Sequence, residues 1–216
     1  MAGAGPRGVS GFRGGRPYFK PAGWVKFAVE APMASCNDWC VAYHGTHVQN
    51  ILPILARGLQ RRGDHASVVF HGQAHSETNR SIYLSPSIEY AAFPTYGLFF
   101  DDRTEEQHWL QVVLQVRVRP GSFAERPGTL GGKRWPADLP FEQCFPGLEG
   151  LEWLVEDPAD IVVTGLMVRE FGPTADKQVF GNIAAALTDN GGKPEYKWTD
   201  LRAKEMRRLL SKDSLQ

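Results

Sequence analysis

The sequence predicts an α+β fold in which strands predominate and short helices lie at the margins of a split sheet. Residues 110–118 alternate apolar and polar side chains, which indicates a strand with one wet face. Residues 151–155 and 161–168 are two further apolar runs, joined through the turn signal Asp157-Pro158, and we expect them to pair. Helical signals are confined to two short segments, after Asn50 and after Ser85, and to the charged C-terminal stretch.

The predicted helices each have a boundary signal. Asn50 can cap a helix that carries Pro53 in its first turn and ends at Gly58. A second short helix is expected to begin with Pro86, because proline suits the first helical position. The charged stretch 199–210 is the third.

The composition fits one domain with a tail at each end. Residues 1–16 are rich in glycine and arginine, and we expect a disordered leader that could touch RNA but is more simply a flexible segment. The folded domain is expected over 17–185, with a first strand at 24–29, and a linker with a charged helix over 186–216. The 216 residues carry no net formal charge, which weighs against attachment to nucleic acid by bulk electrostatics.

The cysteine content predicts a reducing compartment. Cys36, Cys40 and Cys144 are too few, and odd in number, for a disulfide framework. The stretch after Met1 resembles neither a signal peptide nor a membrane span. We therefore expect an intracellular monomer, cytoplasmic or nuclear, that does not bind membranes.

A histidine and a glycine follow one another where a predicted strand, residues 39–44, meets a loop. Glycine at such a junction lets a flat ligand approach the main chain and pair with one N–H and one C=O. The imidazole of His44, beside Gly45, can bond a sugar hydroxyl. These residue types suit a carboxamide attached to a ribose.

Three segments resemble the NAD-binding segments of the poly(ADP-ribose) polymerase-like ADP-ribosyltransferases. Residues 44–46, Asn50 and residues 54–59 resemble the first segment without a gap in spacing. Residues 81–86 resemble the second, in which a strand delivers a tyrosine, and residues 151–155 resemble the third, which opens with the catalytic glutamate. The three occur in the family's order over about half of the chain.

This resemblance implies split antiparallel sheets with short flanking helices around an NAD cleft, and a catalytic set of His44, Tyr83 and Glu152. NAD would be a substrate, and no metal is implied. One of two further tyrosines would close the nicotinamide pocket, and the sequence leaves open which. The cofactor-binding residues that the resemblance implies are His44, Gly45, Thr46, Asn50, Tyr83, Ser85, Tyr90 and Tyr96.

The residue types suit the implied chemistry. Cleavage of the bond between nicotinamide and ribose leaves positive charge on the sugar, a state that glycoside hydrolases stabilise with carboxylates. Glu152 would supply that carboxylate and Tyr83 a flat face for the nicotinamide ring.

The resemblance predicts an NAD-dependent mono-ADP-ribosyltransferase that modifies a macromolecular acceptor, with protein favoured over nucleic acid. Too little chain precedes residue 39 for the helical regulatory domain of the DNA-damage-activated polymerases. Two alternatives stay open: a non-catalytic NAD or ADP-ribose-binding module, and an RNA- or DNA-modifying enzyme, including one like the tRNA 2'-phosphotransferases.

Other constellations are weaker. Cys36, Cys40 and His44 could ligate zinc on one helix face, but a strand would scatter them. Cys40 with His44 also suggests a thiol hydrolase, although neither has an orienting third group in the sequence. A glycine-punctuated loop carries three more histidines without cysteine partners, at His65, His71 and His75.

Overall fold

The structure is a computed structural model and describes residues 10–61, 81–93, 96–97, 99–101, 109–129, 145 and 148–171. Its strands are β1 (Gly11–Arg13), β2 (Arg16–Tyr18), β3 (Val25–Ala28), β4 (Cys40–Gly45), β5 (Ile82–Leu84), β6 (Phe99–Asp101), β7 (Trp109–Val118), β8 (Phe123–Arg126), β9 (Glu152–Val155) and β10 (Ile161–Phe171). Its helices are α1 (Met33–Cys36), α2 (Ile51–Arg57) and α3 (Ile88–Ala91), with 3₁₀ turns at Val48–Asn50 and Pro158–Asp160. The architecture is mixed, with mostly antiparallel sheets and few short helices, which is compatible with the predicted α+β class. None of the helices in these ranges is long and apolar enough to cross a membrane.

Two sheets form the body of the fold. The large sheet has the order β3-β10-β7-β4, with β6 also paired to β7, and the small sheet has the order β5-β9-β8. One antiparallel bridge joins them, in which Tyr43 and Ser85 exchange two backbone hydrogen bonds of 2.7 and 2.9 Å. The sheets therefore meet near the end of β4.

The main hydrophobic core lies against one face of each sheet. It unites the apolar face of β7 with Ile82 and Leu84 of β5, Trp153 and Val155 of β9, and side chains of α2. A second cluster covers the opposite face of the large sheet, where α3 packs. Because side chains alternate along a strand, β7 is buried on both faces.

The prediction of a wet face on β7 is wrong. Gln111 and Gln115, which suggested that face, are buried. The amide nitrogen of Gln111 donates to the carbonyls of Ala92 and Gly97, and its oxygen accepts from Arg169. The polar alternation predicted the strand correctly, but both glutamines are buried and the Gln111 side chain binds protein groups.

The predicted pairing of β9 with β10 is also wrong. A 3₁₀ turn at Pro158–Asp160 separates them, and Asp157 caps it by accepting a hydrogen bond from the Ala159 backbone at 2.9 Å. β9 pairs with β5 and β8, whereas β10 pairs with β3 and β7. The turn signal was real, but it leads the chain from one sheet to the other.

Part of the predicted disordered leader is ordered, and residues 1–9 lie outside the described residues. Residues 11–18 form the hairpin β1-β2, which turns through Gly14 and Gly15, both at positive φ. Arg16 pairs with Glu125 of β8 and lies over the Phe123 ring, which stacks on Trp153. The hairpin thus packs on the small sheet.

Helix α3 begins two residues later than predicted. Its N-cap is Ser87, whose hydroxyl accepts from the Tyr90 backbone N–H at 3.1 Å, so Pro86 lies outside the helix. The predicted helix at 199–210, Cys144 and the three loop histidines, His65, His71 and His75, lie outside the described residues.

Candidate functional site

The candidate functional site lies at the junction of the two sheets, and we call this region the cleft. The end of β4 supplies His44 and Gly45 on one side, and the small sheet supplies Tyr83 and Glu152 on the other. The Tyr43–Ser85 bridge lies between these two groups. The three residues of the implied catalytic set are thus carried by β4 and by two adjacent strands of the small sheet.

His44 is held against the small sheet by its ring. Its Nδ1 lies 2.9 Å from the carbonyl oxygen of Tyr83. Since a carbonyl can only accept, Nδ1 carries the proton, and the Nε2 of a neutral ring is left as an acceptor. Burial lowers the pKa of His44, and the bond to the carbonyl raises it by less. The ring is therefore neutral near pH 7 and can accept a hydrogen bond from a hydroxyl.

Gly45 combines a close contact on one side with a free backbone edge. A Cβ here would lie 1.9 Å from the carbonyl oxygen of Ala91 and 2.8 Å from the Cβ of Tyr96, so the approach that requires glycine is that of α3 and the turn after it. The N–H and C=O of Tyr43 point away from β7 and bond Ser85. Because the backbone repeats every two residues along a strand, the N–H and C=O of Gly45 also point away from β7. Neither group has a partner among the described residues.

Thr46 and Asn50 stabilise the turn that follows. Both are buried, and the side-chain amide of Asn50 donates to the Thr46 hydroxyl at 3.2 Å. Asn50 is the N-cap residue of α2, as predicted, but its side chain makes no capping bond. Helix α2 ends at Gly58, also as predicted, where φ is positive. These residues fix the chain direction after Gly45.

The small sheet presents one face to its core and the other to the cleft. Tyr83 pairs with Leu154, so Glu152, two residues before Leu154, projects from the same face as Tyr83. Tyr83 is 39% exposed, whereas Glu152 is only 6% exposed. The site therefore has an accessible aromatic ring beside a buried carboxylate.

Three donors hold one oxygen of Glu152. Its Oε1 accepts hydrogen bonds from the Tyr90 hydroxyl at 2.6 Å, the Thr129 hydroxyl at 2.7 Å and the Thr129 backbone N–H at 3.2 Å. Oε2 has no hydrogen-bond partner in the described part of the chain. A buried carboxylate with one satisfied and one open oxygen is positioned to accept a further hydrogen bond.

Helix α3 orients Tyr90 toward this carboxylate. The hydroxyl of Ser85 accepts from the Ser87 N–H at 3.1 Å, and Ser87 caps the helix. Tyr90 is 3% exposed. Burial, and next its bond to Glu152, raise the pKa of Tyr90, so the hydroxyl stays a donor at neutral pH. Ser85 thereby acts on the site through the turn that begins α3.

Tyr90 and Tyr96 differ in accessibility. Their ring centroids are 5.7 Å apart, at 39° between planes. The hydroxyl of Tyr90 is used on Glu152, whereas Tyr96 is only partly buried and its hydroxyl lies 3.3 Å from that of Thr129. Tyr96 is thus the more accessible of the two rings.

Cys40 is not arranged as a nucleophile. Its thiol lies 3.3 Å from the Gly14 carbonyl oxygen, and burial raises its pKa. His44 lies four residues along the same strand and directs Nδ1 to Tyr83 instead. Within the described ranges, no group of three or more His, Cys, Asp or Glu side chains could hold a metal ion.

No model of a known protein family matches this chain, so its function has to be argued from the cleft residues. The sequence identified His44, Tyr83 and Glu152 as candidates, and the fold carries them on neighbouring strands. It missed Thr129, which lies 23 residues from Glu152 in a segment with no pattern to mark it. A glycine before a polar residue was the only local signal, and such pairs are common in loops.

Proposed function

We propose that this protein is an NAD-dependent mono-ADP-ribosyltransferase, which cleaves the nicotinamide-ribose bond and transfers ADP-ribose to a macromolecular acceptor. The observation that carries the proposal is the buried Glu152 carboxylate, whose Oε1 is held by three donors while Oε2 has no partner in the described part of the chain. Burial of a polar atom without a hydrogen bond costs free energy, so an oxygen of Glu152 that has no bond among the described residues supports a functional role for it.

Glu152 would act on the sugar. As the bond to nicotinamide breaks, positive charge develops on the ribose ring, and a carboxylate that accepts a hydrogen bond from a ribose hydroxyl stabilises it. The open Oε2 supplies that acceptor. Because Oε1 is already bonded, the carboxylate needs no reorganisation when the charge forms.

The opposite side of the cleft suits the rest of the nucleoside. The N–H and C=O of Gly45 on the free edge of β4 match the acceptor and donor of a carboxamide. The Nε2 of His44 can accept from a ribose hydroxyl. The exposed ring of Tyr83 offers a flat face to the cationic nicotinamide.

The macromolecule that accepts ADP-ribose is less closely defined by the site than NAD is. Once nicotinamide leaves, the ribose carbon can be attacked by a nucleophilic side chain or by a nucleic-acid group. The chain has no net charge, so we favour a protein acceptor over nucleic acid. We propose that the protein acts as an intracellular monomer, in the cytoplasm or the nucleus.

The test is incubation with labelled NAD and a mixture of protein, DNA and RNA acceptors. Two quantities are read: release of nicotinamide, and the macromolecule that takes up the label. We expect label on protein. Label on RNA or DNA would support a nucleic-acid-modifying enzyme, and NAD that is bound but not consumed would support a non-catalytic binding module.

Glu152→Gln is the decisive variant, because it keeps the size of the side chain and removes its charge. We expect nicotinamide release to fall about 100- to 1,000-fold, while NAD binding survives. Glu156→Gln is the matched control, since Glu156 follows the same strand and is exposed. If Glu152→Gln turns over NAD at the wild-type rate, Glu152 is not the catalytic carboxylate.

A further inference from the structure

Thr129 makes two hydrogen bonds to the same atom of Glu152. Its hydroxyl lies 2.7 Å from Oε1, and its backbone N–H, shared with the Tyr90 hydroxyl, lies 3.2 Å from it. Thr129 is itself exposed, at the end of the described segment that follows β8. The exposed Thr129 therefore donates its hydroxyl hydrogen bond to the buried Glu152.

Gly128 allows this approach. A Cβ at residue 128 would lie 2.7 Å from the Tyr90 ring, so only glycine lets the backbone pass this close. The Gly128 N–H donates to the Leu148 carbonyl at 2.7 Å, which ties the segment to the chain that leads into β9. The position of Thr129 is therefore set by packing against Tyr90 and by a backbone bond.

The hydroxyls form a directed series. A carboxylate oxygen only accepts, so the Thr129 hydroxyl donates its proton to Glu152. The Thr129 oxygen is then the acceptor for the Tyr96 hydroxyl, 3.3 Å away. With Tyr90 also donating, every bond made to this end of Glu152 fixes Oε1.

We propose that Thr129 is a positioning residue that determines which oxygen of Glu152 meets the substrate. An oxygen that accepts three hydrogen bonds has no free direction left, so the other oxygen must face the ribose. Without the Thr129 hydroxyl the carboxylate could rotate and bind substrate in unproductive orientations, at a cost in rate rather than in NAD affinity. This inference rests on the proposed transferase function.

The test compares Thr129→Val with Thr129→Ser. Valine keeps the shape and the backbone N–H and removes only the hydroxyl, whereas serine restores it. We expect Thr129→Val to lower kcat for nicotinamide release about 10- to 100-fold, the usual effect of losing a hydrogen bond to a charged group, with KM for NAD within about threefold of wild type. Thr129→Ser should keep kcat within about threefold of wild type.

Thr164→Val is the control, because the Thr164 hydroxyl donates to the Gln115 carbonyl inside the large sheet, away from the cleft. A merely structural role for Thr129 would lower Tm in Thr129→Val and leave kcat unchanged, which would overturn the inference. So would equal loss in the valine and serine variants. If wild-type protein releases no nicotinamide, the transferase proposal fails and this inference with it, whereas an active wild type with an equally active Thr129→Val overturns only the role of Thr129.

Discussion

The two sides of the cleft are held in different ways. At the His44 end, one ring nitrogen meets one backbone carbonyl of the adjoining strand. At the Glu152 end, two side chains and a backbone N–H converge on one oxygen, from positions 62 and 23 residues away in sequence. A backbone partner depends on strand pairing alone, whereas a set of side-chain partners depends on several segments packing correctly. The first arrangement is therefore robust, and the second is sensitive to distant changes.

The largest expected effect comes from Gly45→Ala, because this change at the His44 end of the site would also disturb the Glu152 end. The new Cβ would meet the Ala91 carbonyl and Tyr96, so α3 has to move, and α3 carries Tyr90. We expect the free energy of unfolding to fall by about 1–3 kcal/mol, as for other overpacked sites, together with a loss of NAD turnover.

Denaturant titration and nicotinamide release would measure both effects. Gly58→Ala is a suitable control, because Gly58 has a positive φ but nothing lies within 4 Å of the added Cβ. That control should lose about 1–3 kcal/mol to backbone strain, because φ 75° with ψ 177° is a conformation that essentially only glycine adopts, and should keep its turnover. Unchanged turnover in Gly45→Ala would show that α3 does not couple the two ends.

His44→Ala would sharpen the comparison by removing only the His44 end. We expect NAD affinity to fall about tenfold, equivalent to about 1.4 kcal/mol for one hydrogen bond, and to fall more than in Glu152→Gln. Calorimetry on the two variants would decide, and equal affinity in His44→Ala and wild type would remove His44 from the binding site.

Stability and NAD affinity should both depend on pH through His44. Burial lowers the pKa of His44, so the folded ring is neutral where an unfolded histidine, with a pKa of about 6.5, would gain a proton. The stability that this group contributes is present above about pH 6.5 and is lost as pH falls below it. NAD affinity should also fall as pH falls, because the protonated His44 ring can no longer accept a hydrogen bond. In His44→Gln, NAD affinity should depend less on pH.

The smallest expected effect concerns the β1-β2 hairpin, which contacts neither end directly. A protein that begins at Pro17 loses the Arg16 contacts with Glu125 and Phe123. Both partners of the ion pair are partly exposed, so we expect a loss of about 1 kcal/mol, or about 2–4 °C in Tm, with NAD turnover retained. Thermal unfolding would measure it, and Arg16→Ala should reproduce most of the loss. Loss of turnover would place the hairpin in the catalytic unit.

Several strands and one turn of the fold could be predicted from the sequence, because they depend on local patterns, whereas β1, β2, β6 and β8 were not predicted. Alternation gave β7, and the glycine and proline signals gave the end of α2 and the turn before β10. The partners of the strands could not be predicted, since a turn signal shows that the chain reverses but not which strand it then joins. The burial of Gln111 escaped for the same reason: its partners, Ala92, Gly97 and Arg169, come from other elements.

The candidate site divides in the same way. His44, Tyr83 and Glu152 are marked by residue types at strand ends, where a motif can identify them. Thr129 is not, because its role depends on a contact between segments that no local pattern records. Composition also predicted disorder for residues 11–16, where Gly14 and Gly15 instead supply the turn of a hairpin.

The single bridge between the sheets has a mechanical consequence. Tyr43 and Ser85 share two backbone bonds, and the bond from His44 to Tyr83 lies directly beside them. Among the described strands no other ladder crosses from one sheet to the other. The backbone contact between the sheets is therefore short, and their relative position depends mainly on side chains, through the shared hydrophobic core and the bond from Tyr90 of α3 to Glu152. A change that loosens this packing would therefore shift Glu152 relative to β4, whereas the Tyr43–Ser85 bonds would keep His44 in contact with Tyr83.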